Sequence, residues 1–305
     1  MEAPRTAEEI REVNTRYHDV AAASYDFKWG IDFGPVGRAQ VLGKLRKLVG
    51  AELEGGYRRS LEIGAGTGYF SLNLLQEGVV DQATCTDISP GMLAELMANA
   101  QRLGVNATST RADAESLPFP DESFDLVVGH AVLHHLPDLH RALTEIYRVL
   151  RPGGRIAFAG EPSRSGDRLA SIPKRAARTL APVWRALIGA SSAPSPAAPG
   201  SPDHVEHDLE RCVDVHAFAP DELARHARDA GFTDVRVRGE ELVANWFGWF
   251  NRGLEASADP DGVPMLWRRY AFRGYLLLQQ VDERLLEPLL PATAFYNLLL
   301  TARRA

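Results

Sequence analysis

Cysteine is scarce in this chain of 305 residues, with only Cys85 and Cys212. Two isolated cysteines do not build a disulfide framework or a zinc site, so no metal site is expected. An excess of positive charge is also missing, because 34 basic and 40 acidic side chains give a formal net charge of −6. That balance offers no general attraction for nucleic acid, and no nucleic-acid partner is expected.

Long apolar runs are absent as well. No stretch reaches the roughly 18 apolar residues that a membrane-spanning helix needs. The opening MEAPRTAEEIREV is polar and lacks the apolar segment of a secretory signal. We therefore expect a cytoplasmic protein, and its hydrophobic content of 45% is enough for a sizeable core.

Strand-like and helix-like segments alternate between residues 58 and 162. Strand candidates such as SLEIG, ATCTD, FDLVVGH and GRIAFAG are separated by helical patterns. This alternation predicts a parallel sheet with helices on both faces. Residues 1–57 are predicted to form an N-terminal helical cap. The α/β pattern returns at 218–305, where TDVRVRGEELVANWF alternates like a strand and AFYNLLLTARR is predicted as the last strand.

Two segments interrupt this pattern. Residues 163–217 are predicted as a lid insertion that contains a basic helical segment and then a mobile segment rich in Pro, Ser and Ala. Pro173 and Pro182 are expected to break the regularity of this helix. Its apolar positions recur at helical spacing at Leu169, Ile172, Ala176, Leu180, Val183 and Leu187. A basic amphipathic helix of this kind lies on an anionic membrane or closes over a substrate, and the lid is the preferred interpretation.

The second interruption, residues 246–290, is a helical insertion rich in Trp, Tyr, Phe and Leu. Such side chains suit a substrate chamber, a dimer surface or a helical core. Together the two insertions favour a bulky, largely apolar small molecule as the ligand. The pattern leaves the oligomeric state open.

A glycine-rich turn follows the first strand candidate, in LEIGAGTGYF. Gly64, Gly66 and Gly68 would let the backbone approach a ligand, and the helix that follows would point its positive end at it. Nicotinamide-binding loops follow the pattern G-x-G-x-x-G, but here the third position is Tyr69. Asp87 ends the next strand candidate about 20 residues later, where a carboxylate can accept ribose hydroxyls. An ordinary turn and a helix cap remain alternatives.

Five segments in order, LEIGAGTG, CTDIS, ADAESLPFPDESFDLVV, HAVLHHLPD and EIYRVLRPGGRI, resemble the successive motifs of class I S-adenosylmethionine-dependent methyltransferases. The closest branch acts on small metabolites such as quinones, sugars and polyketides. The resemblance implies a Rossmann-like, seven-stranded sheet in the order 3-2-1-4-5-7-6, with strand 7 antiparallel, N-terminal helices and a helical substrate lid. It also implies S-adenosyl-L-methionine as the cofactor and S-adenosyl-L-homocysteine as its product.

By the same resemblance, Asp87 would hold the ribose and the glycine loop would surround the methionine part. Ile88 and Met92 would pack on the adenine, although Met92 fits a helix core equally well. The full set of expected cofactor contacts is Glu62, Gly64, Ala65, Gly66, Gly68, Asp87, Ile88, Met92, Asp113, Ala114 and His130. For Asp113 a solvated turn is the alternative.

His134, His135 and Glu161 are the candidate catalytic residues, since histidine exchanges a proton near neutral pH. Related O-methyltransferases use a histidine pair and an acid after strand five, so the resemblance favours methylation at oxygen. A structural role for His135 and a capping role for Glu161 remain open. Tyr25, Trp29 and Trp246 are candidate substrate contacts, and His18 is expected on a helix surface.

Other functions compete with O-methylation of a small molecule in secondary metabolism. They are C- or N-methylation of a natural product or lipid, a non-catalytic lipid- or membrane-binding protein that keeps the fold, and an NAD-dependent oxidoreductase. The missing third glycine argues against the last of these.

Overall fold

The structure, a computed structural model, describes residues 6–193, 209, 212, 213 and 215–305. Most of the Pro-, Ser- and Ala-rich segment expected to be mobile, beginning at residue 194, lies outside the described residues. The strands are β1 Tyr57–Ile63, β2 Val80–Asp87, β3 Ala107–Arg111, β4 Phe124–His130, β5 Leu150–Pro162, β6 Thr233–Glu240 and β7 Asn297–Arg303. The helices are α1 Ala7–Ala21, α2 Tyr25–Trp29, α3 Pro35–Val49, α4 Tyr69–Gln76, α5 Pro90–Leu103, α6 Leu139–Val149, α7 Arg164–Ile188, α8 Pro220–Asp229, α9 Val243–Glu255 and α10 Met265–Val281.

The seven strands form one sheet in the order β3-β2-β1-β4-β5-β7-β6, which confirms the predicted topology. The strands β1 to β5 pair in parallel. Main-chain hydrogen bonds join Gly153 to Arg304 and Ser163 to Tyr296, so β7 runs antiparallel to β5. The carboxyl ends of β1, β2 and β4 therefore meet at one edge of the sheet, where open α/β sheets bind ligands.

Helix signals in the sequence account for the local structure around β2 and β4. The Ser89 hydroxyl accepts a hydrogen bond from the Met92 amide and begins α5, and Gly104 ends it with a φ of 69°. Helix α6 buries Leu139, Leu143, Ile146 and Val149 on one face. This apolar face packs α6 into the core and leaves its polar side outward.

The chain divides into two compact units. The first comprises the described residues of 1–161, 199–237 and 299–305, and the second those of 162–198 and 238–298. The second unit contains α7, α9 and α10, and so most of both predicted insertions. That they form a lid stays a prediction. Within the described ranges, no helix combines the length and apolar content needed to cross a bilayer.

One local prediction was wrong. The strand expected over 233–247 ends at Glu240, and α9 begins at Val243 because the Asp282 carboxylate accepts hydrogen bonds from the Val243 and Ala244 amides. Helix α7 continues through Pro173 and Pro182. A proline inside a helix costs about 3 kcal/mol. In α7 this is offset by packing of its small residues, such as Ala177, with Leu254 of α9.

Candidate functional site

A cavity in the first unit opens at the carboxyl ends of β1, β2 and β4, and α1 forms one of its walls. Many of the residues singled out from the sequence line it. They are Tyr25, Gly64, Gly66, Asp87, Ile88, Asp113, Ala114, His130 and His135. Segments from five parts of the chain thus converge on one site, as the strand order requires.

Gly66 keeps the floor of this cavity open. Its φ is 51°, and a Cβ atom placed there would have only the Tyr25 ring within reach, at 4.0 Å. A Cβ on Gly64 would lie 2.3 Å from the Val132 side chain. Gly64 is therefore needed for packing of the turn after β4, whereas Gly66 exposes backbone to a ligand.

Asp87 is fixed at the end of β2 by two backbone amides. Its Oδ2 accepts a hydrogen bond from Gly66 N at 2.8 Å, and its Oδ1 accepts one from Ser89 N at 2.9 Å. Each carboxylate oxygen can accept a further hydrogen bond. The side chain therefore presents two acceptors to a pair of neighbouring hydroxyls.

Four of the expected cofactor contacts, Glu62, Ala65, Gly68 and Met92, are not part of the cavity lining. The buried Glu62 carboxylate accepts a hydrogen bond from Ser71 N at 2.9 Å and so braces β1 against α4. Its burial raises its pKa to about 7. Met92 is fully buried, which agrees with the alternative that it belongs to the core of its helix.

Helix α1 is attached to the rim of the cavity near both of its ends. Arg11 Nε pairs with Asp113 Oδ2 at 2.7 Å, and its guanidinium also contacts Glu115. Near the other end, Asp19 Oδ1 accepts hydrogen bonds from the Ser89 hydroxyl and from Gly91 N. The helix therefore holds Asp113, the expected adenine contact, in place.

Between these anchors, Asn14 and His18 line the cavity. His18, expected on the helix surface, lies with its ring centroid 5.6 Å from that of His135. Sequence reasoning missed Arg11 and Asn14. Their spacing with His18 places three polar side chains along one face of a helix, a signal that was available.

His130 forms the wall at the end of β4. Its ring stacks on Phe70 at a centroid distance of 5.5 Å and meets the edge of Tyr69 at 5.3 Å. The aromatic contacts hold the imidazole against the first turn of α4.

Glu161 organises the turn that follows β4. Its Oε1 accepts hydrogen bonds from the Val132 and Leu133 amides, both at 3.0 Å. Its Oε2 accepts from the His134 amide at 3.1 Å and lies 2.8 Å from His134 Nδ1. Glu161 is fully buried, and neither it nor His134 belongs to the cavity lining.

His135, in contrast, lines the cavity. Its Nδ1 lies 3.0 Å from the Val213 carbonyl oxygen. Burial lowers the pKa of His135 well below its usual value of 6.5, and the neighbouring His134 and His18 lower it further. The ring is therefore neutral at pH 7.

The aromatic residues expected to touch a substrate lie in different places. Tyr25 lines the cavity, and Trp29 lies next to it with ring centroids 6.3 Å apart. Trp246 lies on α9 in the second unit and is half-buried. A substrate contact by any of the three stays a prediction.

An adenosyl ligand fits the described lining. The Asp87 carboxylate suits a ribose, Ile88 and Ala114 offer apolar contacts to a flat ring, and the open backbone at Gly66 admits a polar chain.

Comparison with known proteins agrees with this fit. The family described as "Methyltransferase domain" matches residues 61–158. A phosphatidylethanolamine N-methyltransferase from Cereibacter sphaeroides is 32% identical over 162 residues, which cover 52% of this chain and 77% of that protein. The chain belongs to the class I S-adenosylmethionine-dependent methyltransferases. The cofactor of this methyltransferase is accordingly S-adenosylmethionine.

Other similar proteins differ in their acceptors. A malonyl-[acyl-carrier protein] O-methyltransferase from Methylococcus capsulatus is 38% identical over 175 residues, or 53% of this chain and 58% of that protein. The methyltransferase spans little more than half the length of some of the curated relatives it matches. Phosphoethanolamine N-methyltransferase 2 of Haemonchus contortus, solved with S-adenosylmethionine, aligns with a TM-score of 0.57 at 18% identity, over 97% of this chain and 60% of that one. At that identity the likeness shows the fold alone.

Proposed function

We propose that this methyltransferase methylates an oxygen atom of a bulky, largely apolar small molecule, with His135 as the base. The observation that carries the proposal is an imidazole in the wall of the cofactor cavity, oriented by the Val213 carbonyl oxygen at its Nδ1. Relatives with O- and N-methyltransferase names leave the acceptor atom open, and the chemistry of this imidazole favours a hydroxyl.

The cofactor would be held by the residues that line the cavity. Asp87 would accept hydrogen bonds from the ribose hydroxyls, the Gly66 backbone would lie along the methionine part, and Ala114 and Ile88 would contact the adenine. When bound, S-adenosylmethionine supplies an electrophilic methyl group. The residues of the chain would orient the acceptor, exclude water and remove the proton of the acceptor hydroxyl. Orientation alone contributes several kcal/mol to such reactions.

The tautomer of His135 follows from its neighbour. A carbonyl oxygen only accepts hydrogen bonds, so the proton of the neutral ring is on Nδ1, facing Val213. The lone pair is then on Nε2. Because its lowered pKa keeps the ring unprotonated at pH 7, Nε2 can take the proton of an acceptor hydroxyl.

His134 and Glu161 act as positioning residues in this proposal. The Glu161 carboxylate fixes three successive amides, from Val132 to His134, and the His135 ring follows directly on that turn. Both residues thus support the base without touching the acceptor. The apolar side chains at the cavity, among them Val132 and Leu136, favour an apolar acceptor.

The test compares His135→Ala with His134→Ala and with His140→Ala, whose imidazole is exposed on α6. Methyl transfer from labelled S-adenosylmethionine would be followed by mass spectrometry on a panel of phenols and quinols, with matched arylamines. We expect His135→Ala to lower kcat on a phenol about 100-fold or more, the usual contribution of a general base. Affinity for S-adenosylhomocysteine should stay close to that of the wild type, and His140→Ala should behave as wild type.

The pH dependence gives a second reading. The pKa of His135 lies below 6.5, so kcat should be flat through neutral pH and fall only in acid. Methylation of the arylamines but not the phenols, or full activity of His135→Ala, would refute the assignment.

A further inference from the structure

The second unit carries an exposed surface that is both apolar and basic. It is formed by α7 and α10, which both pack against α9. The two helices meet at Trp184 and Trp267, whose ring centroids are 5.1 Å apart. We call this exposed surface of α7 and α10 the basic apolar face. It has no part in the cofactor cavity described above.

Helix α7 has a buried face of small residues, an exposed aliphatic stripe and a set of exposed basic residues. Its buried face consists of small residues and one tryptophan, namely Gly166, Ala170, Pro173, Ala177, Ala181 and Trp184. Five of its large aliphatic residues instead lie in an exposed stripe, with spacings of three, four or eight residues that keep them on one side of the helix. They are Leu169, Ile172, Leu180, Val183 and Leu187, and Leu187 is 81% exposed. A stripe of this length in contact with water is costly, since burial of large aliphatic side chains is favourable.

Helix α10 adds to this surface. All 17 of its residues are described and none of them is buried. Its exposed side includes Met265, Leu266, Tyr270, Phe272 and Leu277, with Leu266 80% exposed. Exposed apolar surface of this extent marks an interaction site rather than ordinary protein surface.

The charges beside these stripes have one sign. Helices α7 and α10 together contain nine basic side chains and one acidic side chain, in a chain whose net charge is −6. Arg168, Arg175, Arg178, Arg269 and Arg273 are exposed. The other side chains of the chain are therefore strongly acidic in sum, and the positive charge is concentrated where the apolar residues are exposed.

This combination identifies the kind of partner. A second copy of the chain seated on the same face would bring two sets of positive charge together, which disfavours self-association. An anionic lipid surface satisfies both features, because the aliphatic side chains enter the boundary of the acyl chains while the arginines reach the headgroups.

We infer that the basic apolar face of α7 and α10 docks this protein on anionic lipid bilayers. The protein lies on the membrane surface through the two helices. The docking depends on the second unit alone, so it is independent of the acceptor and of the base proposed for methyl transfer.

The test is sedimentation of the full chain with vesicles. Vesicles of equal parts phosphatidylglycerol and phosphatidylcholine are compared with vesicles of phosphatidylcholine alone, at low and high salt. We expect binding to the anionic vesicles, weakened by salt because the headgroup attraction is screened. Equal binding to both vesicle types, or none to the anionic ones, would overturn the proposal.

Two sets of variants test whether the basic apolar face is the part of the protein that contacts the membrane. Arg175→Gln with Arg178→Gln should lower the partition coefficient roughly 30-fold, because each basic side chain near an anionic surface contributes about a factor of five. The matched control is Arg225→Gln with Arg228→Gln, the same charge change on the exposed side of α8 in the first unit. The control should bind as wild type, and equal losses in the two pairs would refute a specific face.

The apolar contribution is tested by Leu180→Ser with Leu187→Ser, controlled by Phe27→Ser at a side chain that is 90% exposed in the first unit. The Leu pair should lose vesicle binding, with an unchanged melting temperature showing that the fold persists. A wild-type chain that forms a dimer, which the Leu pair dissolves while vesicle binding is absent throughout, would assign the face to a second copy and overturn the proposal.

Discussion

Replacing Glu161 by glutamine tests whether this residue positions the turn after β4 or takes the acceptor proton itself. The carboxylate has four contacts within hydrogen-bond distance, two on each oxygen. A glutamine has one acceptor oxygen. In its better orientation the amide oxygen still accepts the hydrogen bonds from the Val132 and Leu133 amides. The amide nitrogen then faces the His134 amide, and because both groups are donors no hydrogen bond forms between them.

The magnitude follows from these contacts. One buried N–H that loses its acceptor costs about 1–3 kcal/mol, and the bonds that remain weaken because their acceptor is no longer charged. We therefore expect Glu161→Gln to lower the free energy of unfolding by about 3 kcal/mol. For a chain of this size that corresponds to a melting temperature lower by roughly 5–10 °C.

The assay is thermal and urea unfolding followed by circular dichroism, alongside turnover and affinity for S-adenosylhomocysteine. The matched control is Glu54→Gln, the same change at an exposed side chain, which should leave stability unchanged. A Glu161→Gln protein with the melting temperature of the wild type but greatly reduced turnover would refute the positioning role and make the carboxylate the base.

Further predictions concern the cofactor cavity and its support. Asp87→Ala should weaken S-adenosylhomocysteine binding roughly 30-fold or more in calorimetry, since two hydrogen bonds to a charged acceptor are lost; unchanged affinity would exclude Asp87 from the ribose site. The buried Glu62 has its pKa raised from 4.5 to about 7, so the folded protein holds a proton that the unfolded chain releases. Its contribution to stability is present below pH 4.5 and is lost as the pH rises through about 7, by about 3 kcal/mol in all. Urea unfolding across this range should show that slope, and Glu62→Gln should reduce it; an unchanged slope in the variant would assign it to other groups.

The individual strands, their helices and the glycine loop could be predicted because their signals are local, and the strand order was expected from the family resemblance. The alternation of strands and helices, the capping residues Ser89 and Gly104, and the order of the motifs all act over short stretches of chain. The positions of Gly66 and Asp87 at one sheet edge follow from that topology alone.

What could not be predicted depends on residues far apart in the chain. The start of α9 at Val243 is determined by Asp282, 39 residues later. In α7, hydrophobic periodicity identifies the large aliphatic stripe, but it does not tell whether the stripe faces protein or solvent. The face that packs consists of small residues and one tryptophan, which a search for the periodicity of large aliphatic residues overlooks. The sequence identifies His134 and His135 as candidates but does not distinguish their roles. In the structure His134 contacts Glu161, whereas His135 lines the cavity.

The attachment of α1 to the cavity rim has a consequence for how the domain is delimited. The recognisable family match covers residues 61–158, whereas Arg11, Asn14 and His18 come from a helix that precedes it. A fragment starting at Tyr57 would retain each quoted motif and still lack one wall of the cavity. The boundary of the family match and the boundary of the cavity lining therefore fall at different places in the chain.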